Sequence, residues 1–72
     1  MEQKVIEILK EVLENDNIDN TCSQENCEAW DSLRHLSIIV ELESEFDVSF
    51  EPEEISQMKS YNEIINVMAN KL

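Results

Sequence analysis

Residues 31–46 read DSLRHLSIIVELESEF and have the apolar periodicity of an amphipathic helix. Asp31 suits the N-cap position, because its carboxylate can accept a backbone N–H of the first helical turn. Residues at steps of three and four predict one apolar stripe facing the core: Leu36, Ile39, Leu42 and Phe46. The stretch therefore predicts a helix that begins at Asp31 and ends near Phe46.

The segment before this helix divides into a first helix and a polar loop. Apolar residues recur at helical spacing in residues 2–14: Val5, Ile6, Ile8, Leu9, Val12 and Leu13. Asn15-Asp16-Asn17 should end that helix, since these residue types tolerate a left-handed turn. A polar loop is then expected up to Asp31, with Ile18 and Trp30 as its anchors to the core.

The segment after residue 46 predicts two more helices. Pro52 suits the first position of a short helix, and Glu53 and Glu54 are favoured near its N-terminus, with Ile55 and Met58 pointing inward. Ser60, with Glu63 three residues on, predicts a capping box that opens the last helix. Its core stripe would be Tyr61, Ile64, Ile65, Met68 and Leu72. We expect an all-α bundle of three longer helices and one short helix, formed by residues 1–72 as one domain.

The net charge limits the partners that this chain can bind. Its 72 residues carry 17 acidic and 5 basic side chains, a formal net charge of −12. Such a surface repels nucleic acid and favours basic protein partners. There is no apolar run long enough to span a membrane, and Met1 to Lys4 do not start a signal peptide. We therefore expect a cytoplasmic protein that binds no nucleic acid.

No metal site is expected from the sequence. A calcium loop started at Asn15 would place Asn20 where glycine belongs and Asn26 where glutamate belongs. Cys22, Cys27 and His35 are three candidate ligands, too few to complete a structural zinc site. Cys22 and Cys27 are expected to be free thiols, with a loop disulfide after air oxidation as the alternative.

Ser32 and His35 could suggest a hydrolase, but the sequence lacks the rest of such a site. A nucleophilic serine needs a base, a group that orients the base, and an oxyanion hole. The chain has neither a glycine-rich elbow nor a second histidine. We expect no catalytic residues and predict that His35 packs or forms a hydrogen bond. A serine at a helix N-terminus is, however, well placed to carry a phosphate group.

The triplet Asp31-Ser32-Leu33 resembles the Asp-Ser-Leu motif of acyl and peptidyl carrier proteins. The resemblance covers essentially the whole chain, from the first helix and long loop to Pro52 and the final helix. It implies a four-helix acyl carrier protein-like bundle in which Ser32 receives 4′-phosphopantetheine from coenzyme A, flanked by Asp31 and Leu33. Many members place glycine shortly before the triplet, whereas this chain has Cys27-Glu28-Ala29-Trp30.

The resemblance also implies partners. They are a phosphopantetheinyl transferase and acyl-activating and acyl-transferring enzymes with basic docking surfaces, acting on a monomeric carrier, with cargo from a specialised lipid or polyketide pathway. On the helical wheel Leu33 and Val40 lie away from the predicted core stripe. Together with two acids of the same helix they form the predicted docking patch: Leu33, Val40, Glu41 and Glu45. An aminoacyl or peptidyl carrier, for example for D-alanine, and an unmodified acidic adaptor are the alternatives.

Overall fold

The computed structural model describes residues 1–72 and contains four helices and no β-strand. The helices are α1 (Glu2–Leu13), α2 (Ser32–Phe46), α3 (Pro52–Gln57) and α4 (Tyr61–Lys71). The predicted all-α class, with three longer helices and one short helix, is confirmed. None of the helices is long and apolar enough to cross a membrane.

Two of the helices end on a left-handed residue that is not glycine. Glu14 closes α1 with φ 53° and donates its N–H to the Lys10 carbonyl. Asp47 closes α2 in the same way, with φ 54° and a bond to the Glu43 carbonyl. The predicted stop of α1 at Asn15-Asp16-Asn17 is therefore one residue late. Asn15 instead makes a local turn in which its side-chain oxygen accepts the backbone N–H two residues on.

A core of sixteen apolar residues holds the helices together, and no polar or charged residue is buried with them. It draws on α1, α2, α4 and the connecting segments: Val5, Ile8, Leu9, Leu13, Ile18, Cys22, Trp30, Ile38, Ile39, Leu42, Phe50, Met58, Tyr61, Ile64, Val67 and Met68. The predicted loop anchors Ile18 and Trp30 are both buried, which confirms them. Met58 is fully buried and Ile55 partly so, as expected for the inward face of the short helix.

The predicted core stripe of α2 is wrong at its first position. Leu36 has 54% of its surface exposed, whereas Ile38 is completely buried. Ile39 and Leu42 are buried and Phe46 is partly buried, so the rest of the stripe is confirmed. Two apolar stripes run along this helix, and tertiary packing decides which of them faces α1.

The predicted stripe of α4 also needs one correction. Leu72 lies after the last helical residue and is 67% exposed, while Val67 takes a place in the core. Ser60 caps this helix as predicted, accepting the N–H of Glu63 at 3.1 Å. The Glu63 carboxylate accepts the Ser60 hydroxyl at 3.2 Å, so the reciprocal bond to the backbone that completes a capping box is absent there.

Backbone hydrogen bonds fasten the long loop to the start of α4. Gln24 donates its N–H to the Lys59 carbonyl, and Tyr61 donates to the Cys22 carbonyl, each at 2.9 Å. Ser23 and Ser60 form an isolated antiparallel bridge between these two bonds. The segment that the sequence predicts as a polar loop is thus tied to the start of α4.

The short helix α3 is fastened through Glu54, in its first turn. Glu51 donates its backbone N–H to the Glu54 carboxylate at 2.8 Å, and Lys71 of α4 contacts the same carboxylate at 2.9 Å. The hydrogen bond from Lys71, followed by the backbone bond from Glu51, lowers the pKa of the Glu54 carboxyl. These contacts connect α3 with the end of α4.

The two apolar stripes of α2 should differ in their contribution to stability. We expect Ile38→Ala to lower the free energy of unfolding by about 2–5 kcal/mol, because it leaves a cavity in a closed core. Leu36→Ala should change it by less than about 0.5 kcal/mol, since that side chain is largely in solvent. Urea denaturation followed by circular dichroism measures both values. If Ile38→Ala fails to fold, Ile38→Val should still lose about 1 kcal/mol. Equal losses for Leu36→Ala and Ile38→Val would contradict this arrangement of α2.

Candidate functional site

Asp31 fixes the start of α2, as the sequence predicts. Its backbone is extended, with φ −93° and ψ −175°, and its Oδ1 accepts the N–H of Arg34 at 2.8 Å. This bond satisfies one of the backbone donors that every helix start leaves without a partner. The cap therefore defines where the next residue, Ser32, is presented.

Ser32 is the first residue of α2 and is exposed to solvent. Its hydroxyl takes no part in the hydrogen bonds of the protein, whereas the hydroxyls of Ser56 and Ser60 are both engaged. The backbone N–H groups of Ser32 and Leu33 also have no acceptor within the chain. A free hydroxyl thus lies beside two free donors at the positive end of a 15-residue helix.

His35 forms part of a partly buried hydrogen-bond chain. Trp30 donates its indole N–H to His35 Nδ1 at 3.0 Å, and the two rings stack at 6.2 Å between centroids. Because the indole can only donate, Nδ1 is the acceptor and Nε2 carries the proton. Nε2 lies 2.8 Å from the Ile55 carbonyl of α3, to which it donates. The structure therefore does not bring Ser32 and His35 together as a nucleophile and base.

Arg34 is a charged neighbour of the site that the sequence reasoning missed. Its guanidinium lies 3.8 Å from the carboxylate of Asp31 and 3.8 Å from that of Glu14 at the end of α1. Both ion pairs are exposed, so each adds at most about 1 kcal/mol. Their effect is to place one of the chain's few cations next to Ser32.

An exposed apolar stripe continues from the site along α2. Leu33, Leu36 and Val40 are 75%, 54% and 61% exposed and line a shallow groove with Ser37 and Glu41. The sequence predicts Leu36 in the core, so its membership of this exposed stripe was not predicted. Its position three residues after Leu33 and four before Val40 is the helical spacing that could have revealed it.

The two acids of the predicted docking patch have different environments. Glu45 is 3.1 Å from Lys4 of α1, and this hydrogen-bonded contact, followed by the charge of Glu45, raises the pKa of Lys4. Glu41 is exposed and takes part in no ion pair. Of the two carboxylates, only that of Glu41 has no ion-pair partner within the chain. No group of three or more His, Cys, Asp or Glu side chains is arranged to hold a metal ion.

Comparison with known proteins identifies the fold. No protein-family model matches the chain, and no curated protein matches it significantly. Among solved structures, the chain is similar to "a putative acyl carrier protein" from Mycobacterium tuberculosis, with a TM-score of 0.83 and 22% sequence identity. The match covers 96% of this chain and 95% of that one. The chain therefore has the acyl carrier protein fold over nearly its whole length.

The Asp31 cap should be a measurable part of the stability of this site. We expect Asp31→Ala to lower the free energy of unfolding by about 1 kcal/mol, because the Arg34 N–H loses its acceptor. Asp31→Asn keeps an oxygen acceptor and should retain most of the stability. Urea titration of the three proteins measures the difference. An Asp31→Ala variant as stable as the parent would show that the cap contributes nothing.

Proposed function

We propose that this protein is an acyl carrier protein whose Ser32 is covalently modified with 4′-phosphopantetheine. The observation that carries the proposal is the exposed, unbonded hydroxyl of Ser32 at the first position of a capped helix, in a chain with the acyl carrier protein fold. The arm, when attached, supplies a thiol that holds acyl groups as thioesters. The residues around Ser32 then present that arm to other enzymes.

The helix start suits a phosphodiester on Ser32. The free N–H groups of Ser32 and Leu33 can donate to phosphate oxygens, and the helix dipole favours negative charge at this end. The guanidinium of Arg34 adds a positive charge close by. Asp31 keeps these donors in place, since its side chain caps the same turn.

The activating base is proposed to come from the partner enzyme. In the modification, the Ser32 oxygen forms an ester bond to phosphorus, and coenzyme A loses its adenosine 3′,5′-bisphosphate portion. The serine proton must leave, but both ring nitrogens of His35 are engaged with Trp30 and Ile55. A phosphopantetheinyl transferase would therefore remove that proton, and Ser32 needs only to be accessible.

We further propose that partners bind α2 through its exposed stripe. Leu33, Leu36 and Val40 offer apolar contact, and Glu41 with Glu45 beside them favours a basic surface. Apolar residues at the centre of an interface give most of its affinity, whereas charges at its edge mainly steer the encounter. Transferases and acyl-activating or acyl-transferring enzymes with basic docking surfaces fit this arrangement.

In this proposal the whole chain, residues 1–72, acts as one monomeric carrier domain in the cytoplasm, without binding nucleic acid. Its net charge of −12 supports basic proteins as partners and disfavours phosphate backbones. We assign it to a specialised lipid or polyketide pathway. An aminoacyl cargo such as D-alanine would use the same arm and the same serine.

The modification itself is the first test. Incubation with coenzyme A, Mg²⁺ and a broad-specificity phosphopantetheinyl transferase should add one arm, visible by intact-protein mass spectrometry and assigned to Ser32 by peptide mapping. Ser32→Ala should remain folded by circular dichroism and stay unmodified. An arm on Ser37 or Ser44 would contradict the site. No modification by several transferases would favour the unmodified acidic adaptor.

The docking surface can be tested in the same reaction. We expect Val40→Ala and Glu41→Lys each to slow modification at least about fivefold, with little change in melting temperature, because both side chains are exposed. Leu72→Ala and Glu25→Lys are the controls at exposed positions outside α2: the first shortens another aliphatic side chain to alanine, and the second makes the same charge reversal. Controls that slow the reaction equally would show that overall charge, and not this surface, governs recognition.

A further inference from the structure

Cys22 and Cys27 lie on either side of a tight turn. Residues 23–26 form the turn, in which Asn26 donates its backbone N–H to the Ser23 carbonyl at 3.3 Å. A β-turn brings its first and last residues within about 7 Å. The two cysteines flank this turn, line the same cavity and have thiols close enough to interact with each other.

The side chain of Asn26 holds this turn closed. Its Oδ1 accepts the backbone N–H of Ser23 at 3.0 Å, and its Nδ2 donates to the Thr21 carbonyl at 2.7 Å. The amide thus spans the opening of the turn beside the two cysteines. Hydrogen bonds from Gln24 to Lys59 and from Tyr61 to Cys22 fix the same segment to the start of α4, so the arrangement of the two cysteines belongs to the folded protein.

The two thiols differ in access. Cys22 is 5% exposed, whereas Cys27 is only partly buried, and both line one open cavity of about 520 Å³. Burial raises the pKa of the Cys22 thiol to about 11, with further contributions from the neighbouring Cys27 thiol and the Asp19 carboxylate. Cys22 therefore stays protonated near neutral pH, and a reaction with a reagent in the cavity has to begin at Cys27.

We propose that Cys22 and Cys27 form a reversible dithiol–disulfide site that is oxidised by low-molecular-weight disulfides entering this cavity. In the first step the Cys27 thiolate attacks the small disulfide, forms a mixed disulfide and releases one small thiol. In the second step Cys22 loses its proton to solvent and attacks the Cys27 sulfur, releasing the second small thiol. The protein loses two electrons and two protons, and the small disulfide is reduced to two thiols.

The charge around the cavity selects the oxidant. Asp19 and Glu28 line it, and the chain carries a net charge of −12. A cationic disulfide such as cystamine should therefore react faster than the anionic glutathione disulfide. This site shares no residue with the attachment site at Ser32, so it stands or falls independently of the proposed function.

The reduced, folded protein is treated with cystamine and followed by intact mass under non-denaturing conditions. The expected product is a monomer that has lost two hydrogens and keeps no cystamine half. Cys22→Ala should stop at a stable mixed disulfide on Cys27. Cys27→Ala should react slowly until urea unfolds it. At low ionic strength, cystamine should react at least about tenfold faster than glutathione disulfide, and added salt should reduce that ratio.

Three results would overturn the proposal: a parent protein that keeps the mixed disulfide, a product that is an intermolecular dimer, or equal reaction of folded Cys27→Ala and the parent. Equal rates with the two oxidants would contradict entry through the acidic cavity. If Cys22→Ala does not fold, Asn26→Ala provides the second test. This variant should slow formation of the Cys22–Cys27 disulfide several-fold, because the turn that places the two thiols loses its side-chain hydrogen bonds. Formation of the mixed disulfide at Cys27 should be unchanged.

Discussion

The hydrogen bond from the Trp30 indole to His35 is the interaction on which the arrangement of the site depends. Trp30 is the buried residue at the end of the long loop, and His35 lies in the first turn of α2. The other ring nitrogen of His35 is hydrogen-bonded to the Ile55 carbonyl of α3. One imidazole thus connects the loop, α2 and α3 at the end of the bundle that carries Ser32. With this end fixed from inside, Ser32 can remain free of hydrogen bonds and still have a defined position.

The basic and acidic side chains have different roles in this fold. Lys4, Arg34 and Lys71 each contact a carboxylate on another helix or at a helix end, so these cations join elements of the fold. Most of the seventeen acids remain in solvent, where they repel each other. The buried core contains no polar or charged residue, so none of these charges has to be paired inside it.

Local signals in the sequence were sufficient for the helix starts. Asp31, Pro52 and Ser60 act through their own backbone and that of the next turn, and all three begin a helix as predicted. The buried face of α2 was harder to predict, because the apolar residues of this helix form two stripes and periodicity alone does not distinguish the buried one. The choice between Leu36 and Ile38 is made by packing against distant parts of the chain. The same holds for the Arg34–Glu14 contact and for the bonds that fasten the loop to α4, since they join residues far apart in sequence.

The absence of glycine has a consequence at the ends of α1 and α2. Glu14 and Asp47 adopt a conformation that glycine reaches without steric cost, and each places a carboxylate at the negative end of a helix dipole. At both positions, therefore, the present residue gives a less stable helix end than glycine would. A lineage of this protein could gain thermal tolerance by a single substitution at Asp47, whereas a substitution at Glu14 would also remove the contact with Arg34 beside Ser32.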